Sequence, residues 1–165
     1  MIVSLDGDVE INMFNKLIDS YNENTDDQLH IYLNSRGGDV SIGFAIIDFI
    51  NERKDNIEII GYGELLSMVF HIFFETTCKK RLIRNTIGMT HLSSCSYNLN
   101  SNKNMIDSSD KIYYANMKES DEEAFPFLEN LSLNKNELKS IKNGKDVYFN
   151  YKRMQELLKH QNGKI

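Results

Sequence analysis

Ser67 opens the apolar run SMVFHIFF, with His91 24 residues further on and the glycine pair Gly37-Gly38 upstream in LHIYLNSRGG. Acyl transfer needs such parts: a hydroxyl to attack a carbonyl, a base to take its proton, and unobstructed backbone amides for the oxyanion that forms. A neutral histidine can take the serine proton and hand it to the leaving group. Two histidines are near. His71 is four residues after Ser67, hence on the same helical face, while His91 ends a strand, where side chains project toward a cleft. His91 is the preferred base, and His71, among Val69, Phe70, Ile72 and Phe73, also reads as a partly buried core residue. Ser67 itself reads as a nucleophile at the positive end of a helix or as that helix's N-cap. The glycine pair also reads as a plain strand-to-helix turn. An acid that orients the histidine would complete the set. Asp146, in KDVYF, is one of 24 acidic residues, and spacing alone does not select it.

The elements that must position these residues follow from periodicity. IVSL at 2–5 reads as a buried strand, and Gly7 permits a turn. Over 10–22, Met13, Phe14, Leu17, Ile18 and Tyr21 recur at helical spacing. NENTDDQ leads into LHIYL, a branched and aromatic strand that ends at the glycine pair. Ile42, Ala45, Ile46, Phe49 and Ile50 then share one face of a second helix. IEIIGYG repeats the pattern of apolar strand and glycine turn, and SMVFHIFFETTC begins a third helix. Three successive strand-turn-helix units predict parallel strands, right-handed crossovers and a layered α/β core.

RLIR and IGMTH read as two more strands, the second closed by His91. SSCSYNLNSNKN reads as an exposed loop, and 107–131 as an amphipathic helical arm that Pro126 bends or ends. Asn134-Lys135-Asn136-Glu137 has the form of a capping box that opens another helix. KDVYFN reads as extended and YKRMQELLKH as a last helix.

Composition narrows the function classes. The 165 residues predict one domain over 1–165, and 41% hydrophobic with 26% charged residues is an ordinary globular balance. A net charge of -5 argues against nucleic acid as the partner, since phosphate binding needs clustered positive charge. No run reaches the roughly 20 apolar residues of a membrane span. Asp6 and Asp8 interrupt the N-terminal apolar stretch where a signal peptide would continue, so a cytoplasmic protein without a membrane partner is expected. Cys78, Cys95 and four scattered histidines have no metal-ligand spacing, so neither a metal nor a cofactor is expected.

Through these segments the chain resembles the proteolytic subunit of Clp protease and, more distantly, the crotonase superfamily. IYLNSRGGDVSIGFAIIDFI is similar to that family's strand, glycine turn and helix, and GYGELLSMV to its nucleophile segment. GMTHLSS is similar to the segment of its general base, and KDVYFN to that of its orienting acid. The resemblance implies Ser67 as nucleophile, His91 as base and Asp146 as orienting acid, with the Gly38 and Met68 amides as oxyanion donors. It implies a layered α/β fold of repeated β-β-α and βαβ units with a helical arm at about 100–135. It also implies a homo-oligomeric ring whose arms meet ring to ring, and a serine endopeptidase that cleaves peptides or unfolded protein in the enclosed chamber. An ATPase partner stays open, because the family's N-terminal axial segment has no counterpart ahead of Ile2 in this sequence. Two alternatives stand beside this reading. One is a catalytically inactive Clp-like subunit or scaffold, favoured by the bulk of Leu65, Leu66, Val69 and Phe70 around Ser67. The other is a crotonase-like acyl-CoA enzyme, for which no acid-base pair is evident.

Overall fold

A computed structural model describes residues 1–24, 28–93 and 108–163. In chain order the elements are β1 (Ile2–Asp6), α1 (Ile11–Asn22), β2 (Leu29–Ser35), α2 (Val40–Glu52), β3 (Ile57–Leu66) and α3 (Met68–Glu75). These are followed by β4 (Lys79–Leu82), β5 (Ile87–Thr90), α4 (Ser108–Asn130), α5 (Lys135–Lys142), β6 (Val147–Phe149) and α6 (Tyr151–Asn162). Among the described residues six strands form one sheet in the order β1-β2-β3-β5-β6, with β4 also paired to β3. Every pairing is parallel except that of β5 with β6. The layered α/β architecture expected from the strand-helix alternation is the one observed.

Burial explains why each segment takes its form. In β2, Leu29, Ile31 and Leu33 face the core while His30, Tyr32 and Asn34 face the other way, the period-2 pattern of a sheet covered on one side. Helix α1 buries Met13 and Leu17, and α2 buries Ile46, Ile47 and Ile50, so each presents one apolar stripe to the sheet. All of α3 from Met68 to Phe74 is buried, which makes it the central helix of the core. Asp39 caps α2 by accepting from the Ile42 amide at 2.9 Å. Asn134 and Glu137 form the capping box expected at the start of α5.

Three segments depart from the expectations. The glycines of IEIIGYG do not end the third strand, which continues to Leu66. Gly63 takes a φ of 61° and the register against β2 shifts between Leu33 and Ser35. The Glu64 amide donates to Asn34 Oδ1 at 2.8 Å, so a side chain replaces the lost ladder partner and the strand survives as a bulge. The fourth strand lies at Lys79–Leu82 rather than over RLIR, because Asn85, at a φ of 68°, takes the end of that segment into the turn before β5. Of the bend or end expected at Pro126, the end does not occur, since α4 runs on to Asn130. Pro126 sits at an exposed position, where water can satisfy the carbonyl that its missing N–H leaves, and Leu128 beyond it is buried against the core. The loop expected over 93–104 lies, beyond Ser93, outside the described residues, as does Cys95. Among the described residues no helix is long and apolar enough to cross a membrane.

One buried cation makes the fold sensitive to pH. Lys80 Nζ donates to the carbonyls of Phe74 at 3.2 Å and Thr76 at 2.6 Å and to Gln161 Oε1 at 2.8 Å, tying β4 to the end of α3 and to α6. Burial lowers its pKa from 10.5 to about 8. Between those two values the unfolded chain holds a proton that the folded chain has released, so Lys80 makes stability rise with pH across that window. Urea midpoints of the natural protein and of Lys80→Met, measured from pH 7.5 to pH 10.5, will show the difference moving in favour of the natural protein as pH increases. A difference constant over that range would refute this account.

Candidate active site

The second half of β3 leaves β4 and pairs with β5, Leu66 opposite Met89. Ser67 stays on that ladder, its amide donating to the Met89 carbonyl at 2.8 Å, and α3 begins with the next residue. The abrupt change from strand to helix puts Ser67 at φ 55° and ψ -126°, a region that costs a residue with a Cβ roughly 1–3 kcal/mol. Its hydroxyl makes no capping bond to α3; it is hydrogen-bonded to His91 Nε2 at 2.8 Å instead. Of the two sequence readings of Ser67, the side-chain cap is not the one present.

Gly37 and Gly38 are held by close approach as well as by conformation. Gly37 has a φ of 108°, and a Cβ there would lie 2.7 Å from Ser67 Cβ and 3.1 Å from its Oγ. At Gly38, with φ 150°, a Cβ would lie 2.5 Å from the carbonyl oxygen of Val9. The chain is stitched to Val9 on both sides of Gly38, Val9 N donating to Gly37 O at 2.9 Å and Asp39 N to Val9 O at 2.8 Å. Among the described residues, neither the Gly38 amide nor the Met68 amide at the start of α3 is taken by another acceptor. Both remain available to a bound oxygen. The Met68 side chain fills the notch left by Gly43 of α2, where a Cβ would come within 2.2 Å of its Cγ.

His91 and Asp146 meet through strand register. In the antiparallel ladder Thr90 pairs with Val147, so the residues just beyond that pair, one after β5 and one before β6, are 91 and 146. His91 Nδ1 lies 3.2 Å from Asp146 Oδ1. A proton on Nδ1 facing that carboxylate leaves Nε2 with a lone pair to accept from Ser67. The side chains are 22% and 51% exposed, so the histidine is sheltered and the aspartate half in solvent. His71 is engaged elsewhere: its Nδ1 lies 2.6 Å from Glu75 Oε1 and its Nε2 lies 3.1 Å from Thr90 Oγ1.

A cavity of about 310 Å³ opens beside Ser67 and His91. Leu65, Leu66, Val69 and Phe70, the bulky neighbours of Ser67, are buried and do not line it. Phe70 instead stacks on Phe149 with ring centroids 5.3 Å apart. Two features escaped the sequence reading. In the sequence Gly37 reads only as one of a glycine pair, without a sign that its own Cβ would strike Ser67. Asp121 of α4 accepts from the Ser93 amide at 2.8 Å and so holds the segment after His91. No local pattern distinguishes Asp121 from the other acidic residues of that helix.

The family model described as Clp protease matches residues 1–119, a stretch that includes Gly38, Ser67, Met68 and His91 and stops before Asp146. The chain is 36% identical over 96 residues to the ATP-dependent Clp protease proteolytic subunit of Streptococcus salivarius, covering 54% of this chain and 48% of that one. It is 40% identical over 72 residues to the protein of the same name from Streptococcus mutans, covering 41% and 36%. With that of Streptococcus uberis the identity is 37% over 87 residues, covering 50% and 44%. The matched stretch thus spans about half, or less, of the length of these relatives.

Proposed function

Because the chain belongs to the Clp protease family, we propose that it is a serine endopeptidase acting on peptides or unfolded protein. His91 Nε2 takes the proton of Ser67 as its Oγ attacks the peptide carbonyl, and the proton then passes to the leaving amine. Asp146 keeps the other ring nitrogen protonated and stabilises the imidazolium that forms. The amides of Gly38 and Met68 donate to the oxyanion, assisted by the positive end of α3. Water attacking the acyl-enzyme, with His91 again as base, releases the second product. The reading includes assembly into a homo-oligomeric ring that encloses the sites.

The observation that carries the proposal is the hydroxyl of Ser67, at a strained backbone position, 2.8 Å from His91 Nε2. It favours an active subunit over a silent one, and so does the placement of Leu65, Val69 and Phe70 in the core rather than in the cavity. A fluorophosphonate probe tests it: the purified protein is expected to be labelled on Ser67, and a folded oligomer that neither labels nor hydrolyses any peptide would end the peptidase reading.

Asp146→Asn gives a graded test. The amide side chain favours the wrong tautomer of His91, and kcat/KM is expected to fall about 10²- to 10⁴-fold. The half-exposed position of Asp146 points to the lower part of that range, because water can replace part of its role. A loss smaller than threefold would remove Asp146 from the mechanism.

A further inference from the structure

Resting on the peptidase reading, we infer that the cavity beside Ser67 takes a cationic side chain on an aliphatic stem, lysine or arginine, with Asp121 recognising its charge. Cleavage then follows a basic residue. The stem has an apolar channel, since Val40, Phe44, Met68, Ala124 and Leu128 line the cavity. Asp121, Ala124 and Leu128 are spaced i, i+3 and i+7 on α4 and therefore share one face, so the helix that supplies the apolar wall also supplies the carboxylate.

The charges around the cavity favour a cation. Asp121 Oδ1 accepts from the Ser93 amide at 2.8 Å, which uses one of the several lone-pair positions of the carboxylate. Among the described residues Asp121 has no ion-pair partner. Among the described residues Asp39, the second carboxylate of the lining, is met only by a backbone amide, that of Ile42. Arg36 is the one guanidinium of the lining, and its Nε lies 2.8 Å from Glu64, which is not part of the cavity, so its charge is already answered. A purely apolar occupant would strip water from Asp121 and return nothing. An ammonium or guanidinium group would make a charge-assisted hydrogen bond to it.

Binding to the full-length Ser67→Ala variant reads the cavity without turnover. Fluorescein-labelled tetrapeptide amides ending in lysine, arginine, norleucine or methionine are compared by anisotropy, norleucine being an uncharged analogue of the lysine stem. The basic peptides are expected to bind at least about tenfold tighter than norleucine. Asp121→Asn, in the same background, retains an oxygen for the Ser93 amide but has no charge, and the ratio is expected to drop to about twofold or less. Equal or tighter binding of norleucine, a ratio that persists in Asp121→Asn, or no binding of any peptide would overturn the inference. The two readings fail separately. Lysine preference in Ser67→Ala with no fluorophosphonate labelling of the natural protein would sink the peptidase alone. Efficient turnover of norleucine substrates over lysine ones would sink only the inference.

Discussion

Ser67→Ala will abolish fluorophosphonate labelling and lower kcat for peptide hydrolysis by about 10⁴-fold or more, with little change in thermal stability. Removing a nucleophile whose base is already within 2.8 Å removes the covalent step itself, and only binding and the oxyanion donors remain to assist water. Stability should hold because alanine meets the same backbone penalty as serine at φ 55°, and the lost hydrogen bond is a part-buried contact at the edge of an open cavity. Rates from the natural and variant proteins prepared identically decide the matter. Retention of more than one hundredth of the activity would assign hydrolysis to another group or to a contaminant.

Gly37→Ala will also lower activity, by about 10²-fold, although residue 37 takes no part in the chemistry. Its added methyl would lie 2.7 Å from Ser67 Cβ, closer than real Cβ atoms approach, and the φ of 108° is hostile to any side chain. Either Ser67 or the glycine turn must move, and a displacement of about 1 Å between nucleophile, base and oxyanion donors is enough to lower kcat/KM about 10²-fold. A fall in melting temperature of several degrees should accompany it. Gly7→Ala is the control: its φ of 88° carries a similar backbone penalty, but a Cβ there meets nothing within 4 Å. It is expected to lose some stability and keep activity within about twofold. Equal activity losses in the two variants would show that strain, rather than contact with Ser67, is responsible.

Much of the scaffold was legible because its signals are local. The alternation in LHIYL and the helical spacing of Met13, Phe14 and Leu17 need only a few neighbouring residues to be recognised, as does the Asn134–Glu137 box. The third strand was harder. Gly61 and Gly63 look like the end of a strand, and what keeps β3 going is the Asn34 side chain, 30 residues away, accepting the Glu64 amide. Pro126 failed as a stop signal for a similar reason, since exposure of the proline and burial of Leu128 depend on what α4 packs against.

The sequence by itself determined that a serine enters a helix after a strand, that a glycine pair ends another strand, and that a histidine closes a third. Each is a short-range arrangement written in adjacent residues. Family resemblance, not spacing, singled out Asp146. Only the tertiary structure decided the contacts between them. His91 faces Asp146 because β5 and β6 pair antiparallel at Thr90 and Val147, and Ser67 meets His91 because the upper half of β3 pairs with β5. His71, only four residues after Ser67, is turned to Glu75 and Thr90. Register between strands is a property of the assembled sheet, so the chemistry of this chain could be proposed from its residues, but the reach of one group to another could not.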